Sequence, residues 1–486
     1  MTSYTISIKC GPYRGQTSGD IENVDIETNL HQFAAMGWSV ESTQEVVVDV
    51  HYHANPFPGL QAVNAWMRKQ ANEWRDVSTL KLTLHPATTP TKKRDCNVSI
   101  YDVAIGDCCC ALAALMPEVR ELDFGGKKKN YLAGPLFGRL AALYANQLQV
   151  LHSTHPVIAP SDCRFAQLKV VRICKGNYRG YQLPRMDPAA IESLVLLGFH
   201  AEHSWSAFAN SSEDKEIEFP SLRSLAVSYV PPLEGDVIGQ QHTLRFPVLE
   251  YLDASSSDMT LPLLLHASIP VRLNALTISA RAEVYPAIAR ATLPETNHLQ
   301  LQIRGASAGN TEALDCARQM LFATQRCLNK ELFVDDASIP VVARHVYHVS
   351  LTSLRVAAPT SVDQVIEIIQ MCPRLTKLTI NNLTLGDIKA DLSLPSHDDD
   401  NLPGPLGAPL EYLEINASEI DGHNAQLTAV AKFLIRRTGS LEIFCSNNYK
   451  YQDMQDIFDE EEWLPGRPYA IEFWSGYRAA SEQGQA

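Results

Sequence analysis

Along residues 375–385 the chain reads LTKLTINNLTL, with apolar side chains at Leu375, Leu378, Ile380, Leu383 and Leu385. The core of that pattern, apolar-x-x-apolar-x-apolar, recurs as VRELDF (119–124), LKVVRI (168–173), IESLVL (191–196), LRSLAV (222–227), LEYLDA (249–254), LNALTI (273–278), LTSLRV (351–356) and LEYLEI (410–415). Weaker copies are VSTLKL (77–82), NHLQLQI (297–303), NKELFV (329–334) and GSLEIF (439–444), and QLQVLHS (147–153) is a degenerate one. The second and third apolar residues lie two apart, so they share one face of a short strand, and the first marks the corner where the chain enters it. VVVDVHY (46–52) and YAIEFW (469–474) are expected as the two end strands.

Between these strands run segments with helical periodicity: LQAVNAWMRKQANEW (60–74), VAIGDCCCALAALM (103–116), EALDCARQMLFATQRCL (312–328), VDQVIEIIQMC (362–372) and AQLTAVAKFLIRR (425–437). From Val171 through Leu194, Leu225, Leu252 and Leu276 the central apolar residues advance by 23, 31, 27 and 24 positions. That is the period of leucine-rich repeats, stretched in places by loops. No such turn buries both its strand and its helix alone, so stacking must supply the core. The pattern predicts an α/β fold, a single curved leucine-rich-repeat solenoid (a horseshoe). Parallel strands line its concave face, and helices and short 3₁₀ turns its convex face. Residues 1–44 form an N-terminal segment and candidate cap, 45–475 the solenoid, and 476–486 a disordered tail. Returns between residues 175 and 300 are short and Pro-rich and predict brief helical turns. Loops are expected at 86–99, 125–135, 201–219, 230–243 and 391–409.

LTKLTINNLTL, LEYLEINASEI and LRSLAVSYV resemble irregular leucine-rich-repeat proteins, most of all the fungal F-box/leucine-rich-repeat proteins, over roughly residues 45–475. The position that is usually Asn in the repeat is Leu383 in one copy and Ser418 in another, so the Asn ladder is missing there. Residues 1–44 also lack the opening Leu-Pro pair and triple-helical apolar pattern of an F-box. The resemblance implies a non-enzymatic substrate receptor of a ubiquitin ligase, with the substrate-reading half visible and the docking half not. A structural interaction protein unrelated to ubiquitin is the alternative.

Composition narrows this picture. A formal charge of −14 over 486 residues argues against nucleic acid and anionic membrane as partners, since both need a basic footprint. Eleven scattered cysteines without framework spacing, and an N-terminus without an apolar leader, fit reduced thiols in the cytoplasm or nucleus. Cys108, Cys109 and Cys110 lie on an apolar helical stretch and read as packing. No GxGxxG, GxxxxGK[ST] or HExxH stands in the chain, and no catalytic residue, metal or cofactor is expected. A third reading, a metal or catalytic site, would use His53 beside His85, with His155 in the same column.

The expected partner is therefore a protein, bound on the concave face, where residues flanking the inward pair point out. Val170, Cys174, Val195, Leu197 and Ala226, with Arg172 among them, form an apolar cluster there. It is either a contact site or ground covered by another segment. Tyr251 and Tyr412 are aromatic anchors. Arg355, Thr379 and Glu414 complete the candidate binding face.

Overall fold

The computed structural model describes residues 3–11, 23–37, 40–52, 56–71, 74–86, 102–126, 133–174, 183–199, 205–209, 216–229, 243–254, 267–290, 292–304, 311–324, 327–334, 351–357, 359–384, 407–417, 433–434 and 443–446. The chain is α/β, its strands lying in a large, mostly parallel sheet. It divides into two compact units, residues 1–250 with 266–270, and residues 251–265 with 271–486.

In the first unit the strands are β1 (Ser3–Gly11), β2 (Asn23–Thr28), β3 (Glu45–Tyr52), β4 (Thr79–Pro86), β5 (Glu121–Gly126), β6 (Val150–Ser153) and β7 (Arg164–Phe165). They continue as β8 (Val170–Cys174), β9 (Arg185–Met186), β10 (Ser193–Phe199), β11 (Glu216–Glu218), β12 (Ser224–Tyr229) and β13 (Thr243–Arg245). β1, β3, β4, β5, β6, β8, β10 and β12 run side by side in parallel, and β2 pairs antiparallel with β1. Tyr4, Val46, Leu80, Leu122, Leu151, Val171, Leu194 and Leu225 make one lateral row of this ladder. All eight are buried. The same alternation buries Ile6, Val48, Leu82, Phe124, Ile173 and Leu196 in the next inward row.

At the entries of β4, β5, β6, β8, β10 and β12 one carbonyl oxygen accepts two successive amides of the following turn. Gln44 O accepts from Ser78 and Thr79, Ser78 O from Arg120 and Glu121, and Arg120 O from Gln149 and Val150. The same joint recurs at Gln149, Lys169 and Glu192. A carbonyl has two lone pairs, so one oxygen can hold both donors.

Three expectations need correction here. VVVDVHY is not an end strand: Ile6 pairs with Val48, so β1 lies beyond it. SYTISIKCG carries the same alternation at Tyr4, Ile6 and Ile8, which is why it adds to the sheet; YAIEFW lies outside the described residues. The Pro-rich returns are of both kinds: Ser206–Phe208 and Ala282–Val284 are 3₁₀ turns and Tyr285–Ile288 a short helix, as expected, whereas β9 pairs with β7 and β11 with β13 as extended segments. Short extended segments held side by side by stacked turns satisfy one another's backbone.

Third, a helix stands at Ala133–Leu143, partly within the expected 125–135 loop. Its sequence AGPLFGRLAAL holds two glycines and a proline, which lower local helix preference. The glycines are there for contact. A Cβ on Gly138 would fall 1.9 Å from the Ile158 carbonyl oxygen, and one on Gly134 3.0 Å from the Ile158 side chain. The other helical returns, Phe57–Gln70, Asp102–Leu115, Thr311–Ala323 and Val362–Met371, stand where periodicity placed them. The last opens on a capping box: Ser361 Oγ accepts from the Gln364 amide at 3.3 Å, and Gln364 Oε1 accepts from the Ser361 amide at 2.9 Å.

The second unit contains β14 (Tyr251–Ala254), β15 (Arg272–Arg281), β16 (Glu295–Arg304), β17 (Asn329–Val334) and β18 (Ser353–Val356). After them come β19 (Thr360–Ser361), β20 (Lys377–Thr384), β21 (Tyr412–Ala417) and β22 (Ile443–Ser446). Apart from β19, consecutive strands pair in parallel from β14 to β22; β18 pairs with β20, and β19 meets the far end of β20 at Leu383 and Thr384. Leu383 is buried, and β19 supplies the backbone partner that a side-chain ladder would otherwise give.

The lateral rows show a phase shift. Leu276 aligns with Leu299 and then with Lys330, whereas Leu354 aligns with Leu332, Leu301 and Ile278. A slip of two residues keeps every side chain on its own face, so the alternation survives it. It also puts a lysine in the core. Lys330 is 2 % exposed, and its Nζ donates to the Leu321 carbonyl at 2.6 Å, in the last turn of the helix Thr311–Ala323. Burial holds its ammonium below the ordinary lysine pKa.

Two outcomes follow from this packing. Gly138→Ala is expected to cost about 2–4 kcal/mol in denaturant unfolding, since helix and segment must part. Gly106→Ala, with nothing within 4 Å of the added Cβ, should instead stabilise by about 0.5–1 kcal/mol; equal effects would contradict the close approach. Lys330→Met should stabilise by about 1 kcal/mol at neutral pH. Because the folded-state pKa is depressed, the unfolded chain binds more protons above it, and wild-type stability rises as pH climbs toward the unfolded value of about 10.4. The gap between the two proteins, read by urea melts, should therefore close between neutral pH and that value.

Candidate functional site

In the first unit, Lys81, Asp123, His152, Arg172, Val195 and Ala226 stand in one lateral row on the outward face. Leu197 is level with Cys174, and Val170 with Ser193. The structure thus brings Val170, Cys174, Val195, Leu197 and Ala226 together on three neighbouring strands. All five are half-buried, and Arg172 is exposed. The salt bridge Lys81 Nζ–Glu45 Oε2, 2.9 Å, ties the row to β3.

The expected histidine column is differently composed. His51, not His53, lies level with His85; their rings stack at 4.4 Å, and His85 Nε2 is 3.7 Å from Asp49 Oδ1. Val46 is level with Leu80, which moves the pairing by two residues, and His53 lies outside the described residues. His155 is buried, with its ring edge on Phe137 at 6.0 Å and Nδ1 3.1 Å from Thr154 Oγ1. Among the described residues, no three His, Cys, Asp or Glu side chains are grouped so as to hold a metal ion. Cys108 and Cys109 are buried, and burial pushes their thiols up to about 11 and about 12. That disfavours the thiolate a nucleophile needs.

The second unit carries a cleft of about 250 Å³ on its outward strand face. Two lateral rows build it. One runs Thr277, Gln300, Glu331, Ser353, Lys377, Tyr412; the other runs Ser279, Gln302, Phe333, Arg355, Thr379, Glu414. Period-two alternation puts every member of both rows on one face. The Arg355 guanidinium stands over the Phe333 ring, 5.1 Å from its centroid, and the Lys377 ammonium over the Tyr412 ring at 4.8 Å. Both are cation–π geometries. Glu414 Oε2 accepts hydrogen bonds from the Thr379 and Tyr412 hydroxyls, each at 3.3 Å.

Of the expected binding residues, Arg355, Thr379, Tyr412 and Glu414 therefore meet at this one place. Arg355 is exposed. Thr379 is a correction to the expected display, being 4 % exposed: it forms the floor, with its hydroxyl spent on Glu414. Tyr251 is 48 % exposed but aligns with Ala275, a row apart from the cleft. Phe333, Lys377, Glu331 and the two glutamines are not among the expected residues: Glu331 and Phe333 lie in NKELFV and the glutamines in NHLQLQI, both weak copies, and Lys377 lies in LTKLTINNLTL beside the expected Thr379. The signal was present in the alternation of Glu331 and Phe333 around Leu332.

No family model and no curated protein matches the chain.

Glu414→Ala should lower stability by about 1–2 kcal/mol, because the buried Thr379 hydroxyl loses its acceptor. Glu414→Gln keeps an acceptor oxygen and should restore at least half of that loss in thermal or urea melts. A Glu414→Ala protein as stable as wild type would show that the hydroxyl is satisfied elsewhere.

Proposed function

We propose that the chain is a leucine-rich-repeat solenoid that recognises a protein partner on its outward strand face and performs no chemistry of its own. The repeated strand signature, the recurrent two-amide joint and the alternation of faces support the repeat reading. The observation that carries the recognition reading is the cleft of the second unit, where two cations each rest on an aromatic ring between two carboxylates. Arginine and aromatic side chains are enriched at binding hot spots. A face built on stacked strands is ordered before the partner arrives, so little further ordering entropy is lost on binding.

The test is affinity purification from cells that express the protein, read by mass spectrometry, with circular dichroism and melting as fold controls. Wild type is compared with Arg355→Glu/Lys377→Glu and, for the apolar cluster, Val195→Glu/Leu197→Glu. The expected result is that a partner enriched by wild type is lost by at least tenfold with Arg355→Glu/Lys377→Glu while the fold persists. Retention of the same partners by both folded double mutants would overturn recognition on this face. The partner set also separates a ubiquitin-ligase substrate receptor, which brings cullin-ligase components with it, from an interaction protein outside that system.

A further inference from the structure

We infer that the cleft of the second unit reads a carboxylate side chain, an aspartate or glutamate in an exposed segment of the partner. This rests on the proposal that the face binds a protein, and it names what the cleft would recognise. Arg355 is level with Thr379 and Lys377 with Ser353, so the two cations are diagonal neighbours on adjacent strands. Diagonal Cα atoms on paired strands lie about 7–8 Å apart, within reach of one bound anion for long side chains. Among the described residues neither cation is in an ion pair; each has an aromatic ring as its partner. A ring under a guanidinium leaves its N–H edge available, and that edge matches the two oxygens of a carboxylate.

The balance of charge selects among anions. Glu331 and Glu414 also line the cleft, so Arg355 and Lys377 meet two carboxylates and the lining sums to zero. In a lining that sums to zero, attraction and repulsion scale alike with the charge of the anion, whereas the desolvation cost grows with its square, so a carboxylate is favoured over a phosphate dianion. Gln300 and Gln302 stand at the far side. Their Oε1 atoms accept from Thr277 and Arg304, at 3.4 and 3.3 Å, which leaves their NH₂ groups to donate to carbonyls of a peptide backbone. A cleft of about 250 Å³ suits one side chain with its adjoining peptide group, not a folded element.

The experiment is a ligand-observed NMR titration of the full chain with three blocked amino acids: N-acetylglutamate amide, N-acetylglutamine amide and N-acetylphosphoserine amide. The glutamate probe should bind at least about fivefold tighter than the glutamine probe, and the phosphoserine probe no tighter than glutamate. Arg355→Gln and Lys377→Gln, each melting like wild type, should weaken the glutamate probe by about tenfold. Phe333→Leu should weaken it by about threefold with every charge kept. Equal binding of glutamate and glutamine probes to wild type overturns the inference whatever the variants do. Tighter binding of phosphoserine overturns it too, and assigns the cleft to phosphate. Failure here combined with partner loss by Arg355→Glu/Lys377→Glu leaves protein recognition standing without the carboxylate. Discrimination here with partners unchanged there removes protein recognition and leaves a carboxylate site.

Discussion

The joint on which much of the structure depends is a backbone one: a single carbonyl at a strand entry receiving two successive amides of the next turn. In the first unit it runs from Gln44 to Ser78, Arg120, Gln149, Lys169 and Glu192. In the second it recurs at Thr352, which accepts from Thr376 and Lys377, and at Thr376, which accepts from Glu411 and Tyr412. The joint itself is made by main-chain groups, and its positions are polar; at Ser78 and Thr376 the side-chain hydroxyl adds a further bond, to the Gln44 and Thr352 carbonyls at 3.4 and 3.2 Å. The return segment between two joints can lengthen freely, since loop length adds little entropic cost once the ends are fixed. Irregular spacing and regular register are therefore compatible.

Fixed entries give fixed lateral rows, and fixed rows divide the residues between two environments. Inward rows bury leucine, valine and isoleucine against one another and against helices; outward rows collect polar and aromatic groups, apart from the apolar cluster around Val195 in the first unit. Lys330 shows how strict the division is. It occupies an inward row because its strand slips by two, and its ammonium then caps a helix carbonyl rather than leaving the core. The same slip aligns Phe333 with Arg355. Core and cleft on this strand thus share one cause.

Much of the candidate site was legible because alternation is a local property. Arg355, Thr379, Tyr412 and Glu414 were placed on the outward face from their own strands alone. That Thr379 is a floor was not legible, since the acceptor of its hydroxyl, Glu414, stands on the next strand. Phe333 and Lys377 lay within readable copies, but their contacts with Arg355 and Tyr412 depend on which residue faces which across a return of unknown path. The sequence pattern pairs His53 rather than His51 with His85 for the same reason: each strand is legible alone, and the register between β3 and β4 is not.

The sequence by itself determined the strands of the repeated signature, most helices and the face those strands' side chains occupy, because a two-residue period and a helical period are written in single segments. It held the signal for β1 as well, in Tyr4, Ile6 and Ile8. Only the tertiary structure decided lateral alignment, the helix over Ala133–Leu143 and the cleft. Alignment is set by carbonyl–amide joints that leave no trace in residue identity. The helix carries Gly134 and Gly138 against its own propensity because the Pro156–Ala159 segment comes within contact of its backbone. The cleft exists where five strands bring side chains from residues 300 to 414 onto one surface. No local pattern records such a meeting.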